Sequence, residues 1–171
     1  FGLSKMNVAT IPGGGMTGEM RARIVDRFNP TVICGTTSYA LHLGRVMEEI
    51  GLDPAESSVR LMLVGGEPGT GVKNTRDRLQ GLWGATMAEF YGCTEASPHC
   101  GGYSCPASEA SDGTISTHLM EDIQIWELVD PDTNEIVKEG ERGLTVCTNL
   151  NSESSPQLRF LVGDYTTFNT E

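Results

Sequence analysis

Residues 89–105, EFYGCTEASPHCGGYSC, gather the side chains of this chain best suited to chemistry. Tyr91 offers a flat face on which a purine can stack, a contact worth roughly 1–3 kcal/mol by analogy with base–aromatic stacking. Gly92 permits a tight turn, the Thr94 hydroxyl can meet a phosphate oxygen, and Glu95 is a hard oxygen donor suited to Mg2+. Farther along, Cys100 and Cys105 form a C-x4-C pair with His99 and His118 nearby, close to zinc spacing. A closed tetrahedral site needs a second ligand pair, and in this sequence only the histidines can provide it. The stretch therefore admits a nucleotide turn, a metal clip or both, with reduced loop cysteines as the plain alternative for its second half.

The elements that must position these residues are legible in the hydrophobic pattern. Residues 21–28 have helical spacing, with Ile24, Val25 and Phe28 on one side and Pro30 as a stop. TVICG (31–35) reads as a short buried strand and SYALHLGRVMEEIG (38–51) as an amphipathic helix. Ser38 can cap that helix, Leu41, Val46 and Ile50 give its stripe, and Gly51 ends it. VRLMLVGGEP (59–68) reads as a buried strand entering a glycine turn, residues 71–84 as a helix, and ATMAEFYG (85–92) as another strand into a turn. Alternation of this kind implies a parallel sheet with crossover helices. PASEASDG (106–113) reads as a loop, and short strands with hairpin punctuation follow in TISTHL, IQIWELVD, GLTVCTNL and PQLRFLVGD. In IQIWELVD, Ile123, Ile125 and Glu127 alternate against Gln124 and Trp126. The expected fold is therefore α/β: a parallel portion over residues 1–105, then an antiparallel β portion over 106–171.

Two other glycine loops bear on ligand binding. GGGMTG (13–18) fits G-x-G-x-x-G by letter, but KMNVATIP before it is a poor strand, so a flexible connection is the better reading. VGGEPG (64–69) lies at the carboxyl end of a buried strand, where open α/β sheets place their ligands, although an ordinary strand–helix turn explains it equally well. Gly66, Glu67 and Pro68 at this strand end and Tyr91 to Glu95 at the next make a nucleotide pocket a stronger reading than either loop alone.

Composition narrows the class. A chain of 171 residues with 38% hydrophobic content is about one domain's worth with material for a core. A net charge of −11 argues against nucleic acid or an anionic membrane as partner, since both call for basic patches. Five cysteines without a secretory leader, and no apolar run near the ~20 residues that span a bilayer, lead us to expect a reduced, soluble, cytoplasmic protein. Cys34 and Cys147 read as small core residues, and Cys93 needs no special role. The start at Phe1 and the polar ending suggest a piece of a longer protein.

GGEP, then FYGCTE, then LRFLVGD together resemble the adenylate-forming superfamily, and most closely its phenylacetate-CoA ligase branch. PTVICGTTSYALHL and GLDPAESSVRLMLVGGEP extend the resemblance over nearly the whole chain. The resemblance implies part of the large N-terminal domain of an ATP-dependent acid–CoA ligase. The phosphate loop would lie upstream and the lysine-bearing C-terminal domain downstream, so this piece alone is expected to be inactive. Such a ligase forms an acyl-adenylate and then an acyl-CoA, here from an aromatic acid such as phenylacetate, with ATP, Mg2+ and CoA taking part. The resemblance also implies roles for residues. Tyr91 matches the adenine-stacking position, Thr94 the phosphate-contacting hydroxyl, Glu95 the Mg2+ carboxylate, and Gly66, Glu67 and Pro68 the loop along the adenine edge. Asp164 matches the ribose-binding acid. Tyr39 and Ala96 are candidates for the acyl-pocket wall, though Tyr39 reads equally as a half-buried aromatic at a helix start. One departure is Gly163, where the branch often carries Arg.

Several members of that branch hold a structural zinc through a Cys and a His after the Thr-Glu turn and a C-x-C beyond the ribose Asp. Cys105 and His118 fall where the first pair belongs, with Cys100 and His99 as rivals or supplements. The alternatives are an adenylate former that uses a carrier-protein thiol and a catalytically silent nucleotide-binding, acyl-binding or zinc-braced protein. The partners expected are a small carboxylic acid and CoA, and a homodimer is open to it. Intact Tyr91, Thr94, Glu95 and Asp164 favour a working enzyme.

Overall fold

The structure, a computed structural model, describes residues 5–96, 101–109 and 113–169, with Pro106 described in its backbone only. Helix α1 (Gly18–Phe28) starts where the Thr17 hydroxyl accepts the Met20 N–H at 3.2 Å, and it ends at Asn29 in a left-handed conformation, φ 49°. Its buried residues are Ala22 and Val25, while Phe28 is 58% exposed, which corrects the expected Ile24–Val25–Phe28 face. The helix packs closely on the next one at its start, where a Cβ on Gly18 would come 3.3 Å from His42 and Val46.

Strand β1 (Val32–Gly35), helix α2 (Thr37–Glu49), a 3-10 turn (Pro54–Glu56), strand β2 (Leu61–Gly65), helix α3 (Lys73–Trp83) and strand β3 (Thr86–Tyr91) build the parallel part. The three strands run in the order β1-β2-β3, Cys34 pairing with Leu63 and Met62 with Met87. Thr36 caps α2 through its hydroxyl, two residues earlier than the Ser38 cap expected. Ala40, Leu43 and Met47 form the buried stripe of α2, and Leu41, Val46 and Ile50 flank it partly buried. Under the sheet lie Met62, Val64, Leu79, Trp83 and Met87, with the Trp83 indole N–H donating to the Ala40 carbonyl at 3.1 Å. Burying side chains of this size contributes roughly 1.5–3 kcal/mol each. Strand β1 departs from expectation. It borders the sheet with Val32 42% exposed and Cys34 exposed, so Cys34 is not a core residue, whereas Cys147 is fully buried.

Strands β4 (Gly102–Glu109) and β5 (Ile115–Leu119) add antiparallel neighbours, making one five-stranded sheet of order β1-β2-β3-β4-β5. The expected loop at 106–113 is thus strand up to Glu109. Its small polar residues suit an irregular strand, and the Ser108 hydroxyl contacts the carbonyls of Cys105 and Ser116, both at 2.8 Å, where the register shifts. Strands β6 (Gln124–Val129), β7 (Arg142–Asn149) and β8 (Phe160–Thr167) form a separate antiparallel sheet. Here the inner row is Gln124, Trp126 and Leu128, with Ile125 49% exposed, so the alternation read from the sequence holds and the structure adds which side faces inward. The fold is the expected α/β arrangement, a parallel sheet with crossover helices followed by antiparallel strands. The boundary drawn at 105/106 falls inside β4, and the second sheet opens at Gln124. Among the described residues no helix is long and apolar enough to cross a membrane.

Candidate functional site

The carboxyl ends of β1, β2 and β3 open into the segments that begin at Thr36, Gly66 and Gly92, the place where open α/β sheets bind ligands. At the end of β2 the chain turns at Gly66, whose φ of 82° suits glycine. Glu67 Oε1 then accepts the Ser38 N–H at 2.6 Å. The carboxylate lies on the N-terminal turn of α2, where free N–H groups and the helix dipole favour negative charge. The bonds from Ser38 hold its pKa below the ordinary 4.5. With Glu67 engaged by α2 and Pro68 exposed beside it, the loop presents chiefly backbone and a ring edge to a ligand.

At the end of β3 the half-buried Tyr91 donates its phenol O–H to Asp164 Oδ2 at 2.7 Å, joining residues 73 apart in sequence and the two sheets in space. The Thr145 hydroxyl donates to the Asp164 carbonyl at 2.9 Å and so fixes β8 at that point. Burial first, and the Asp164 carboxylate second, hold the Tyr91 proton well above the ordinary phenol value of 10.0. The Trp126 ring lies 5.8 Å from that of Tyr91, tilted by 48°. Gly163, the departure from the branch pattern, has φ 95°, a conformation that an arginine side chain would strain.

Gly92, Thr94 and Glu95 are exposed on the turn after Tyr91, and Ala96 is buried with its carbonyl accepting from Gln124 Nε2 at 3.2 Å. Tyr39 stands elsewhere. It is half-buried in the first turn of α2, its phenol oxygen accepting from Arg21, whose guanidinium also lies 4.8 Å from the ring centre. Arg21 in turn donates from Nε to the Gly13 carbonyl at 2.7 Å, so the GGGMTG stretch meets the α1–α2 seam.

Cys105 on β4 and His118 on β5 come together with Sγ and Nε2 3.0 Å apart. The contact with His118 lowers the thiol pKa below its ordinary value. Tyr103, opposite His118 in the register, packs its ring 5.4 Å from the imidazole. Among the described residues no group of three or more His, Cys, Asp or Glu converges for a metal ion. His99 and Cys100, the rival ligands, lie outside the described residues.

Sequence reasoning passed over a buried polar cluster behind the two loops. Glu89 Oε2 accepts the Thr70 N–H at 2.7 Å and the Thr70 hydroxyl at 2.6 Å. The Ser104 hydroxyl accepts the Glu89 N–H at 2.8 Å and lies 3.3 Å from Thr70 Oγ1. Arg76, 5% exposed, donates to the carbonyls of Thr70 and Gly113 and to Glu109 Oε1, each at 2.9 Å. The available signal was a carboxylate inside the otherwise apolar run ATMAEFY.

A family model described as AMP-binding enzyme matches residues 6–148. Phenylacetate-coenzyme A ligase of Thermus thermophilus is 34% identical over 166 residues, which cover 96% of this chain and 36% of the relative. The enzyme of the same name from Aromatoleum evansii is 30% identical over 166 residues, covering 97% and 36%. Among solved structures, 2-hydroxyisobutyryl-CoA ligase in an open conformation, in complex with 2-HIB-AMP and CoA, aligns with a TM-score of 0.90 at 28% identity. That alignment covers 99% of this chain and 36% of the other. The chain thus spans about 36% of the length of the curated relatives it matches.

Proposed function

This chain belongs to the AMP-binding enzyme family, and from that premise we propose that it forms the nucleotide-binding centre of an ATP-dependent carboxylic acid–CoA ligase acting on an aromatic acid such as phenylacetate. The observation that carries the reading is the meeting of Tyr91 and Asp164 across the two sheets, beside an exposed Thr94–Glu95 turn. In the proposed reaction a carboxylate oxygen of the acid attacks the α-phosphorus of ATP. The bond to pyrophosphate breaks, and an acyl-adenylate forms. A CoA thiolate then attacks the acyl carbon and AMP leaves.

Tyr91 offers its ring to adenine, and Gly66 to Pro68 line the edge of the base. Asp164 receives the ribose hydroxyls, its two oxygens giving it acceptor capacity beyond the bond from Tyr91. Thr94 donates its hydroxyl to a phosphate oxygen as charge gathers on the transferred group. The exposed carboxylate of Glu95 suits Mg2+ as a hard oxygen donor, and that ion when bound neutralises phosphate charge. Ala96, held through its carbonyl by Gln124, belongs to the wall for the acid. Tyr39 joins that wall only if Arg21 yields its hold on the ring.

Cys105 and His118 fit zinc as one half of a tetrahedral set, a thiol eased toward thiolate beside an imidazole nitrogen. A cytoplasmic setting with reduced thiols belongs to the same proposal.

The test is carboxylate-dependent ATP–pyrophosphate exchange by the full-length protein, across aryl and short-chain acids with Mg2+ supplied. Exchange with an aryl acid is the expected outcome, whereas exchange with none, from folded protein, overturns the reading in favour of a silent binding protein. Metal analysis of the same preparation is expected to return zinc, and to lose it in Cys105→Ser.

A further inference from the structure

We propose that Glu89 is a positioning residue for the nucleotide loops, acting through Thr70 rather than on the ligand itself; this rests on the reading of the site given above. The loop from Gly66 to Thr70 is pinned at both ends. Its start is tied to α2 by the bond from the Ser38 N–H to Glu67, at 2.6 Å. Its end is tied to β3 by Glu89, whose single oxygen Oε2 takes both the N–H and the hydroxyl of Thr70. Glu89 lies two residues before Tyr91 on the same strand, so one carboxylate sets the distance between the loop along the base and the aromatic face beneath it.

The clamp is built to be stiff. Thr70 is 1% exposed and Ser104 6% exposed. One hydroxyl proton on Thr70 cannot serve two acceptors, and a carboxylate 2.6 Å away has the stronger claim on it. Ser104 Oγ, at 3.3 Å, is the weaker acceptor for that proton. The Glu89 N–H on Ser104 and the two Thr70 donors on the Glu89 carboxylate thus tie the loop, β3 and β4 together at one point. Two short bonds from one buried residue to a single carboxylate oxygen hold one geometry. Gly69 lets the loop pass close to α2, since a Cβ there would fall 2.6 Å from Thr37 Oγ1. For packing alone, an apolar residue opposite the buried Val64 would serve β3 as well, without half-burying a carboxylate that Arg76 does not pair.

The experiment compares Glu89→Ala, Glu89→Gln and Thr70→Val with wild type in the full-length protein. Hydrogen–deuterium exchange over residues 66–72 and 86–95 is read together with KM for ATP and kcat in the pyrophosphate assay. In Glu89→Ala, protection is expected to fall in both segments and nowhere else, with KM for ATP rising about tenfold and kcat changing less than about threefold. Glu89→Gln should restore most of both, because its amide oxygen accepts the same two hydrogens, while Thr70→Val should raise KM as Glu89→Ala does. Unchanged KM in Glu89→Ala from an active wild type, or protection lost evenly across the chain, overturns the proposal. A wild type without pyrophosphate exchange refutes the functional reading instead. In that case exchange protection alone decides the clamp, and unaltered protection of residues 66–72 in Glu89→Ala rejects it.

Discussion

Two acids of the site each accept a hydrogen bond from a close neighbour, and each gives a measurable expectation. Asp164 accepts the phenol proton of Tyr91, so Tyr91→Phe keeps the ring and removes one charge-assisted bond at a partly exposed position. Urea unfolding should show a loss of about 1 kcal/mol, with the melting temperature of Asp164→Asn reduced as well. Glu67 has a native pKa below its ordinary 4.5 because Ser38 donates to it. The folded state therefore binds that proton less tightly than the unfolded chain. The stability it contributes is present above pH 4.5 and is lost as pH falls through the depressed native value. Melting curves across that interval should converge for wild type and Glu67→Gln at the acid end and separate above it. Parallel curves would show that the α2 contact carries no linkage.

Strand spacing turns on a few glycines. A Cβ on Gly102 would lie 2.6 Å from Thr117 Cγ2 and 2.8 Å from the His118 carbonyl oxygen, and the carbonyl belongs to paired backbone that cannot swing aside. Gly102→Ala is expected to cost about 1–3 kcal/mol in urea unfolding by forcing β4 from β5. Gly14→Ala, with nothing within 4 Å of the added carbon, serves as the neutral control. Helices and parallel strands were readable because apolar residues recur at the helical period in α2 and cluster in β2. Which face of β6 points inward is not legible in the sequence, because its inner positions carry Gln124 and Trp126, residues that look outward by type. Here they fill space against Gly101, where a Cβ would meet Trp126 at 2.5 Å. Strand β4 hid behind small polar residues. Among the candidate site residues, Tyr91, Thr94, Glu95 and Asp164 rest on a family resemblance. The bond across 73 residues, the α2 tether of Glu67 and the bonds from Thr70 to Glu89 depend on tertiary proximity that no local spacing encodes.

The whole molecule presents two sheets with open borders. Among the described residues β1 and β8 each have a strand neighbour on one side only, and Val32, Leu161 and Tyr165 stand 42%, 50% and 50% exposed there. Unpaired edges with apolar side chains invite strand addition. Expressed as these 171 residues, the protein should show a sedimentation coefficient that rises with concentration, and Leu161→Lys should flatten that rise. Concentration-independent sedimentation of the unmodified chain would mean that twist or charge already protects the borders. The placement of the two tryptophans has a practical yield. Trp83 is sealed in the core and bonded to Ala40, so its emission has no reason to respond to a ligand. Trp126, tilted against Tyr91 at 5.8 Å, borders the ring that adenine would cover. A ligand-dependent change in tryptophan emission from these 171 residues is therefore expected to come from Trp126, and titrating ATP into unlabelled protein tests the proposed nucleotide face.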